Sequence, residues 1–575
     1  MSNFIFFVVV LCLWIVVFPA RSLSALSSYV KSADNSQSRA GTIGSEQPCN
    51  AFANARCLNQ FSGLQAAHND LPNKGGVIIV PPNYTDTETA TVNISKPGVS
   101  IICMGRSEIP SSITINHAGV GLHITGAYFK LQGCDLNVGT AASRSNVPLI
   151  DAAVQGGMIS EVRFGGNASS RNNGIAFSSS GAGFGGGLWT LRDLLIWQGV
   201  WTSFVSITSG NNPHTAADFH LFNLISQVNT SFTDASVVLD GKLDTVVMDQ
   251  LDVGNSAPGT ALHIRNTLGA GPGFPRWVRC TDCSLEAGGN TGGTALKIDA
   301  GRDIQYHGYI ASAKTGAAIT GSSSETNGVD LSHITFTNIG QSAITLPASA
   351  NRVKIADNNF DDICNQATNT YDGISVAPNA SEFSISGNMW RNNGAKKCRY
   401  GVNVAGGASN SYIVAMEEYP SGTFGTSFLK DGGSGTNKFL MGAMSTTPNS
   451  IGLSSNAGLS SSPRMTWSGF LPTPVNVQSF GLLVPDQAIT ITRLTGSVLP
   501  PPAGCGTFPV YSAFDNTTQT ILVSVTPSKA ATLDSGSVSI NVPAGHALLF
   551  RVTTAASGCT TNPANLSITM EYKMQ

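Results

Sequence analysis

Three short stretches concentrate the chemistry of this chain: Val238-Leu239-Asp240, His263-Ile264-Arg265 and Lys297-Ile298-Asp299. Each has an apolar residue at its centre, and successive side chains of an extended strand point to opposite faces. Stacked with Leu239, Ile264 and Ile298 inward, the strands place Asp240, Arg265 and Asp299 in one outward column. His263 and Lys297 stand in the next. Five of the six outward positions are then ionisable, in a chain of which only 11% is charged. Lysine and arginine side by side can neutralise a carboxylate on a substrate, and a histidine or a lysine of lowered pKa can take a proton beside it. Asp240 and Asp299 would lie about 9.6 Å apart at the backbone. That suits the acid and base of an inverting hydrolase; the same pair could instead orient a base or hold Ca²⁺. The bland alternative is an exposed ladder of ion pairs that adds little stability.

A second acidic group falls on turns: Asp357, Asp361 and Asp362, with Asp372 and Glu382 near His333 and Arg391. It is the candidate calcium site, against the ordinary alternative of solvated loop carboxylates. Glu417-Glu418 follows further on.

What positions these residues is a repeat. Val329-Asp330-Leu331-Ser332-His333-Ile334-Thr335-Phe336 is rewritten as Val353-Lys354-Ile355-Ala356-Asp357-Asn358-Asn359-Phe360 and as Phe383-Ser384-Ile385-Ser386-Gly387-Asn388-Met389-Trp390. Short alternations lie between the copies. Strand, turn and strand recurring at this spacing predict a solenoid of roughly twelve coils. One strand family aligns Leu131, Leu191, Leu221, Met248, Cys280, Tyr306, Leu331, Ile355, Ile385 and Val414 inward. Another aligns Ile124, Phe177, Ile207, Leu239, Ile264, Ile298, Ile319, Leu346, Val376 and Val404. Asn358 and Asn388 recur at one turn and predict a side-chain ladder along the axis.

The start of the rod is legible too. Phe52, Leu58, Phe61, Leu64 and Ala67 fall at helical spacing within 50–71, which predicts a helix covering the open end. Then come Gly75-Gly76-Val77-Ile78-Ile79-Val80-Pro81 and Lys96-Pro97-Gly98-Val99-Ser100-Ile101. This succession resembles the start of the pectin-lyase-like right-handed parallel β-helix superfamily, which includes secreted pectate-lyase-superfamily proteins and tailspike-like depolymerases. The resemblance implies an all-β rod over 49–445 and a polysaccharide partner. The sets carried by polygalacturonases of this fold (Asn-Thr-Asp, Asp-Asp, Gly-His-Gly, Arg-x-Lys) do not occur in order here, so no catalytic residue is carried over from them.

Beyond a Gly/Ser/Thr-rich linker, 446–465, five alternating segments predict a β-sandwich over 466–575 that would bind glycan or trimerise the rod. Residues 1–25 read as a secretory signal, with an uncleaved anchor as the alternative, and 26–48 as a flexible leader. Ten cysteines follow Cys12, in keeping with export to a secreted or cell-surface location. Local pairings are Cys49-Cys57, Cys103-Cys134, Cys364-Cys398 and Cys505-Cys559, while Cys280 and Cys283 are equally readable as a pair or as free thiols. A net charge of -2 excludes a general nucleic-acid binder. The expected function is an exported protein that binds, and as an enzyme cleaves, an acidic polysaccharide by lyase or hydrolase chemistry. Its rival is a non-catalytic adhesin or spike.

Overall fold

The computed structural model describes residues 53–438 and 464–574 apart from short internal segments. From Ala55 to Lys438 the chain winds into a parallel β-helix. Each coil gives one strand to a 14-stranded sheet, here the flank sheet, and one or two strands to a 22-stranded sheet. In the flank sheet 13 strands follow in line from Val92–Ile94 to Ser427–Asp431, with Ser231–Phe232 beside the path.

The repeated text explains the larger sheet. Val353 pairs with Val329 on one side and Phe383 on the other, and Phe360 pairs with Phe336 and Trp390. Within each copy the chain bends at one residue of left-handed backbone, His333, Asp357 or Gly387. Eight residues are therefore two strands and a corner. Identical placement in consecutive coils stacks the rings: Phe336 on Phe360 at 5.0 Å and Phe360 on Trp390 at 4.1 Å. Burying each ring contributes roughly 1.5–3 kcal/mol. Trp390 in turn requires Gly373, where a Cβ would lie 2.5 Å from the indole.

The asparagine ladder runs beside this stack. Ile334 N donates to Asn358 Oδ1 at 2.9 Å, and Asn358 N and Nδ2 both donate to Asn388 Oδ1 at 3.0 Å. Where a third asparagine would stand, the buried Glu417 accepts from Asn388 Nδ2 at 2.9 Å and Trp390 Nε1 at 2.7 Å. Burial pushes its carboxyl up to about 8, against the pull of those donors.

A second corner, where the chain enters the larger sheet, is turned by left-handed residues in one register: Tyr128, Gly156, Leu188, Asp218, Thr245, Trp277, Asp303, Gly328, Arg352 and Glu382. Their side chains are carried outward, and Tyr128, Leu188 and Trp277 are exposed.

The covering helix is shorter than the sequence suggests, Leu64–Asp70, with Leu64 and Ala67 buried in the rod's core. Ahead of it Ala55–Cys57 alternates as a strand and pairs with Val77–Ile79, so the period of two wins there. The helix is held at both ends by the first coil. Glu88 Oε1 accepts from Leu64 N at 2.6 Å, and Lys96 Nζ donates to the carbonyls of His68 at 2.9 Å, Asn69 at 2.8 Å and Leu71. The ammonium sits where the helix dipole favours positive charge. Lys96→Met is expected to destabilise this cap by about 1–3 kcal/mol, seen as faster hydrogen exchange over 64–71 with the distal coils unchanged.

Four cystine bridges are closed: Cys103–Cys134, Cys280–Cys283, Cys364–Cys398 and Cys505–Cys559. Cys57 is also disulfide-bonded; Cys49, its expected partner, lies outside the described residues, as do the signal segment, the leader and nearly all of the linker. At the C-terminal end two antiparallel sheets share one core, a β-sandwich. One contains Arg464–Phe470, Ile489–Leu499 and Asn565–Met574; the other contains Val510–Asp515, Thr520–Val525 and Leu548–Thr554. Leu494, Ile568 and Met570 from the first meet Ala513, Val523 and Phe550 from the second.

Candidate functional site

The flank sheet puts the ionisable residues in register. Asp240 pairs with Arg265, and His263 stands between Val238 and Lys297. Asp299 continues the ladder beyond its strand, its N–H donating to Ile264 O at 2.8 Å. The alternation is enforced from inside, where Leu239, Ile264 and Ile298 are buried.

Two linked groups result. Asp240 is buried, and its oxygens accept from Thr267 N at 2.8 Å, Thr267 Oγ1 at 2.7 Å and Arg265 Nε at 2.9 Å. The rest of the Arg265 guanidinium forks onto Asp234, with Nη1 and Nη2 each 2.8 Å from one carboxylate oxygen. His263 Nε2 lies 2.7 Å from Asp299 Oδ2, and its Nδ1 lies 3.9 Å from Asp234 Oδ1 and 3.3 Å from Arg265 Nη1. Lys297 Nζ donates to the same Asp299 oxygen at 3.0 Å, and Thr320 Oγ1 donates to the other. The side chains of Lys297 and Asp299 are 35% and 31% exposed against 4% for Asp240, so the first two face solvent and the last does not.

Electrostatics divides the roles. Burial alone would raise the Asp299 carboxyl, but hydrogen bonds from His263, Thr320 and Lys297 outweigh it and hold the group well below the usual carboxylate range. Burial works against charge on His263, yet Asp234 and Asp299 prevail and lift its pKa above the ordinary imidazole value. A histidine so held keeps its proton to higher pH than a free imidazole does. It suits an acid better than a base.

Asp234 escapes a reading of the sequence because it sits on the turn before Ala235–Gly241, outside the alternation. A related pair was missed further along the same outward column: Asp151 Oδ2 is 2.9 Å from His123 Nδ1, and Ser178 Oγ donates to Asp151 Oδ1 at 3.2 Å. Its residues lie in different coils, and no local spacing marks them. Between the two groups the column holds Ala176, Ser206 and Val238, a floor of small side chains.

The second acidic group is dispersed. Asp357 turns a corner, Asp361 is on the strand Asn359–Asp361 in register with Arg391, and Asp362 occupies the next corner. Among the described residues no group of three or more His, Cys, Asp or Glu side chains has metal-ligand geometry, so no step through Ca²⁺ is derived. Asp372 is instead forked by Arg399, at 3.0 and 2.8 Å. Glu382 pairs with Arg352.

No family model and no curated protein matches the chain. Solved structures do. A tailspike of an Acinetobacter baumannii bacteriophage, described as a capsular polysaccharide depolymerase, aligns over 87% of this chain and 80% of its own at 11% identity and a TM-score of 0.29. The A-module of an Azotobacter vinelandii mannuronan C-5 epimerase aligns over 68% and 99% at 11% identity and 0.33. The receptor-binding domain of the siphovirus 9NA tailspike aligns over 75% and 86% at 10% identity and 0.30. Likenesses of this size carry no argument about substrate or chemistry.

Proposed function

We propose that this is an extracellular β-helix protein that binds an acidic polysaccharide against the flank sheet and cleaves it there. The observation that carries the reading is the His263–Asp299–Lys297 group beside a floor of small residues, with Lys297 and Asp299 partly solvent-exposed and the nearly buried His263 hydrogen-bonded to Asp299. Lys297 neutralises a uronate carboxylate, and protonated His263 gives a ring proton to the glycosidic oxygen as its C–O bond breaks, with water adding at the anomeric carbon in hydrolysis or the proton beside the uronate carboxylate passing to solvent in elimination. Asp299, ionised and saturated with donors, holds both. Asp240 and Arg265 act as positioning residues through Asp234. The disulfides support a compartment outside the cytosol.

One observation favours the rival, a non-catalytic adhesin: every carboxylate of the group is already engaged, as a stabilising ladder would have it. Incubation of the full chain with polygalacturonate, alginate and neutral dextran separates the readings. New reducing ends with unsaturated-uronate absorbance are the lyase result, and reducing ends alone the hydrolase result. Binding without products on any of the three sinks the catalytic proposal.

A further inference from the structure

One coil corner away from the flank sheet stands a group that the reading above does not use. Arg276 and Arg302 lie directly opposite each other on neighbouring strands, and Arg279 faces Gln305 on the same pair. The guanidinium carbons of Arg276 and Arg302 are 6.0 and 4.6 Å from the centre of one ring, Phe274. Between Arg276 and Arg279 the left-handed corner residue is Trp277, and 53% of it is exposed.

Two features ask for an anion. Among the described residues, Arg56, Arg163, Arg192, Arg265, Arg352 and Arg399 are tied to carboxylates. Arg276 and Arg279 form no ion pair among the described residues, although Asp244 is in register with Arg276 and Asp303 turns the next corner. Like charges directly opposite on paired strands repel, and an anion beside Arg276 lowers that cost. The large indole left in water adds a flat apolar face of the kind that packs against a sugar ring while cations take its charge. Arg302 follows Asp299 by three residues, so the patch belongs to the same coils as the flank group. Asp244 and Asp303 close by disfavour a continuous polyphosphate.

We infer that Arg276, Trp277 and Arg279, with Arg302, form a binding subsite for an anionic sugar, carboxylated or sulfated, around the corner from the flank sheet. The inference rests on the polysaccharide reading for its ligand class but not on any cleavage. Affinity electrophoresis of the full chain in gels containing polygalacturonate, heparin, neutral dextran or duplex DNA tests it. The wild type is retarded by polygalacturonate (carboxylate) or heparin (sulfate), less so as salt rises, and not by dextran. Arg276→Ser/Arg279→Ser weakens that retardation about tenfold or more, and Trp277→Ala weakens it with the salt dependence retained, both with melting no lower than wild type. Wild-type retardation in the arginine variant, equal retardation by dextran, or stronger retardation by DNA overturns the subsite. Absence of cleavage products, or a Lys297→Ala variant as active as wild type, counts against the flank reading alone.

Discussion

His263→Ala is expected to lower the proposed polysaccharide cleavage by about 10²–10⁴-fold, with the rod still folded. The size follows from the role: removal of a positioned acid leaves the leaving oxygen to be protonated by water. Asp299→Asn is expected to act in the same direction through two losses, because it weakens the hold on both His263 and Lys297. The pH profile distinguishes acid from bystander. The His263 pKa is raised by its carboxylate neighbours, so the proposed activity is expected to persist above the pH at which an ordinary imidazole loses its proton and to decline as pH rises through that raised value. Asp299→Asn removes one of those anions, and the decline moves to lower pH. Asp240→Asn gives a different outcome, lower stability with Arg265 loosened, because Asp240 is buried against Arg265 and Thr267. Unchanged turnover in His263→Ala, measured as reducing ends, would falsify the assignment.

The second large effect concerns stability. Glu417 ends the asparagine ladder with its carboxyl raised to about 8, against an ordinary value near 4.5. Between those two values the unfolded chain has lost the proton and the folded rod keeps it, so stability falls as pH rises across the window. Stability therefore differs by several kcal/mol between the two ends of that range. Glu417→Gln cannot ionise and loses this dependence. Its amide oxygen still accepts from Asn388, but its NH₂ then faces the Trp390 N–H, which costs about 1 kcal/mol. The melting curves should therefore cross: the variant is slightly less stable than wild type at pH 5 and more stable at pH 9. Glu88, also raised to about 8 by burial and by Asp86, titrates with the same sign in both proteins and cancels from the comparison. Parallel curves would show that Glu417 is ionised throughout, with the three donors outweighing burial.

The coil register was legible because inward positions are apolar whatever the turns do. Leu131, Leu191, Leu221 and Met248 belong to one inward row, as the alternation suggests. Even so, a coil was skipped between Leu131 and Leu191. Its inward residue is Ile159, preceded by Gly156, Gly157 and Met158, and its flank strand ends on Ala152. Gly157 is small because the Trp189 ring lies over it, where a Cβ would be 2.4 Å away. A packing partner in the next coil erased the local signal. The columns of the candidate site survive for the opposite reason: His263, Arg265 and Lys297 are fixed by their own strands, and Asp299 by the ladder bond just past its own. Asp234 depends on a turn, and the His123–Asp151 pair, although both residues stand on strands, depends on a neighbour 28 residues away, which a period of two does not encode. Lys96 shows a middle case. Its place in Lys96-Pro97-Gly98 is conspicuous in the text, but its grip on three carbonyls becomes visible only once the helix is seated above it.

Cys103–Cys134 and Cys364–Cys398 span 31 and 34 residues, one turn of the winding each, early and late in the rod. A structure of stacked turns gives way from its free edges inward, like a rope fraying. These two cross-links act as whippings on that rope: a tug or a protease nick at either edge is arrested at the tied turn, and the stretch between, which carries His263 and Lys297, keeps its shape after the edges have gone.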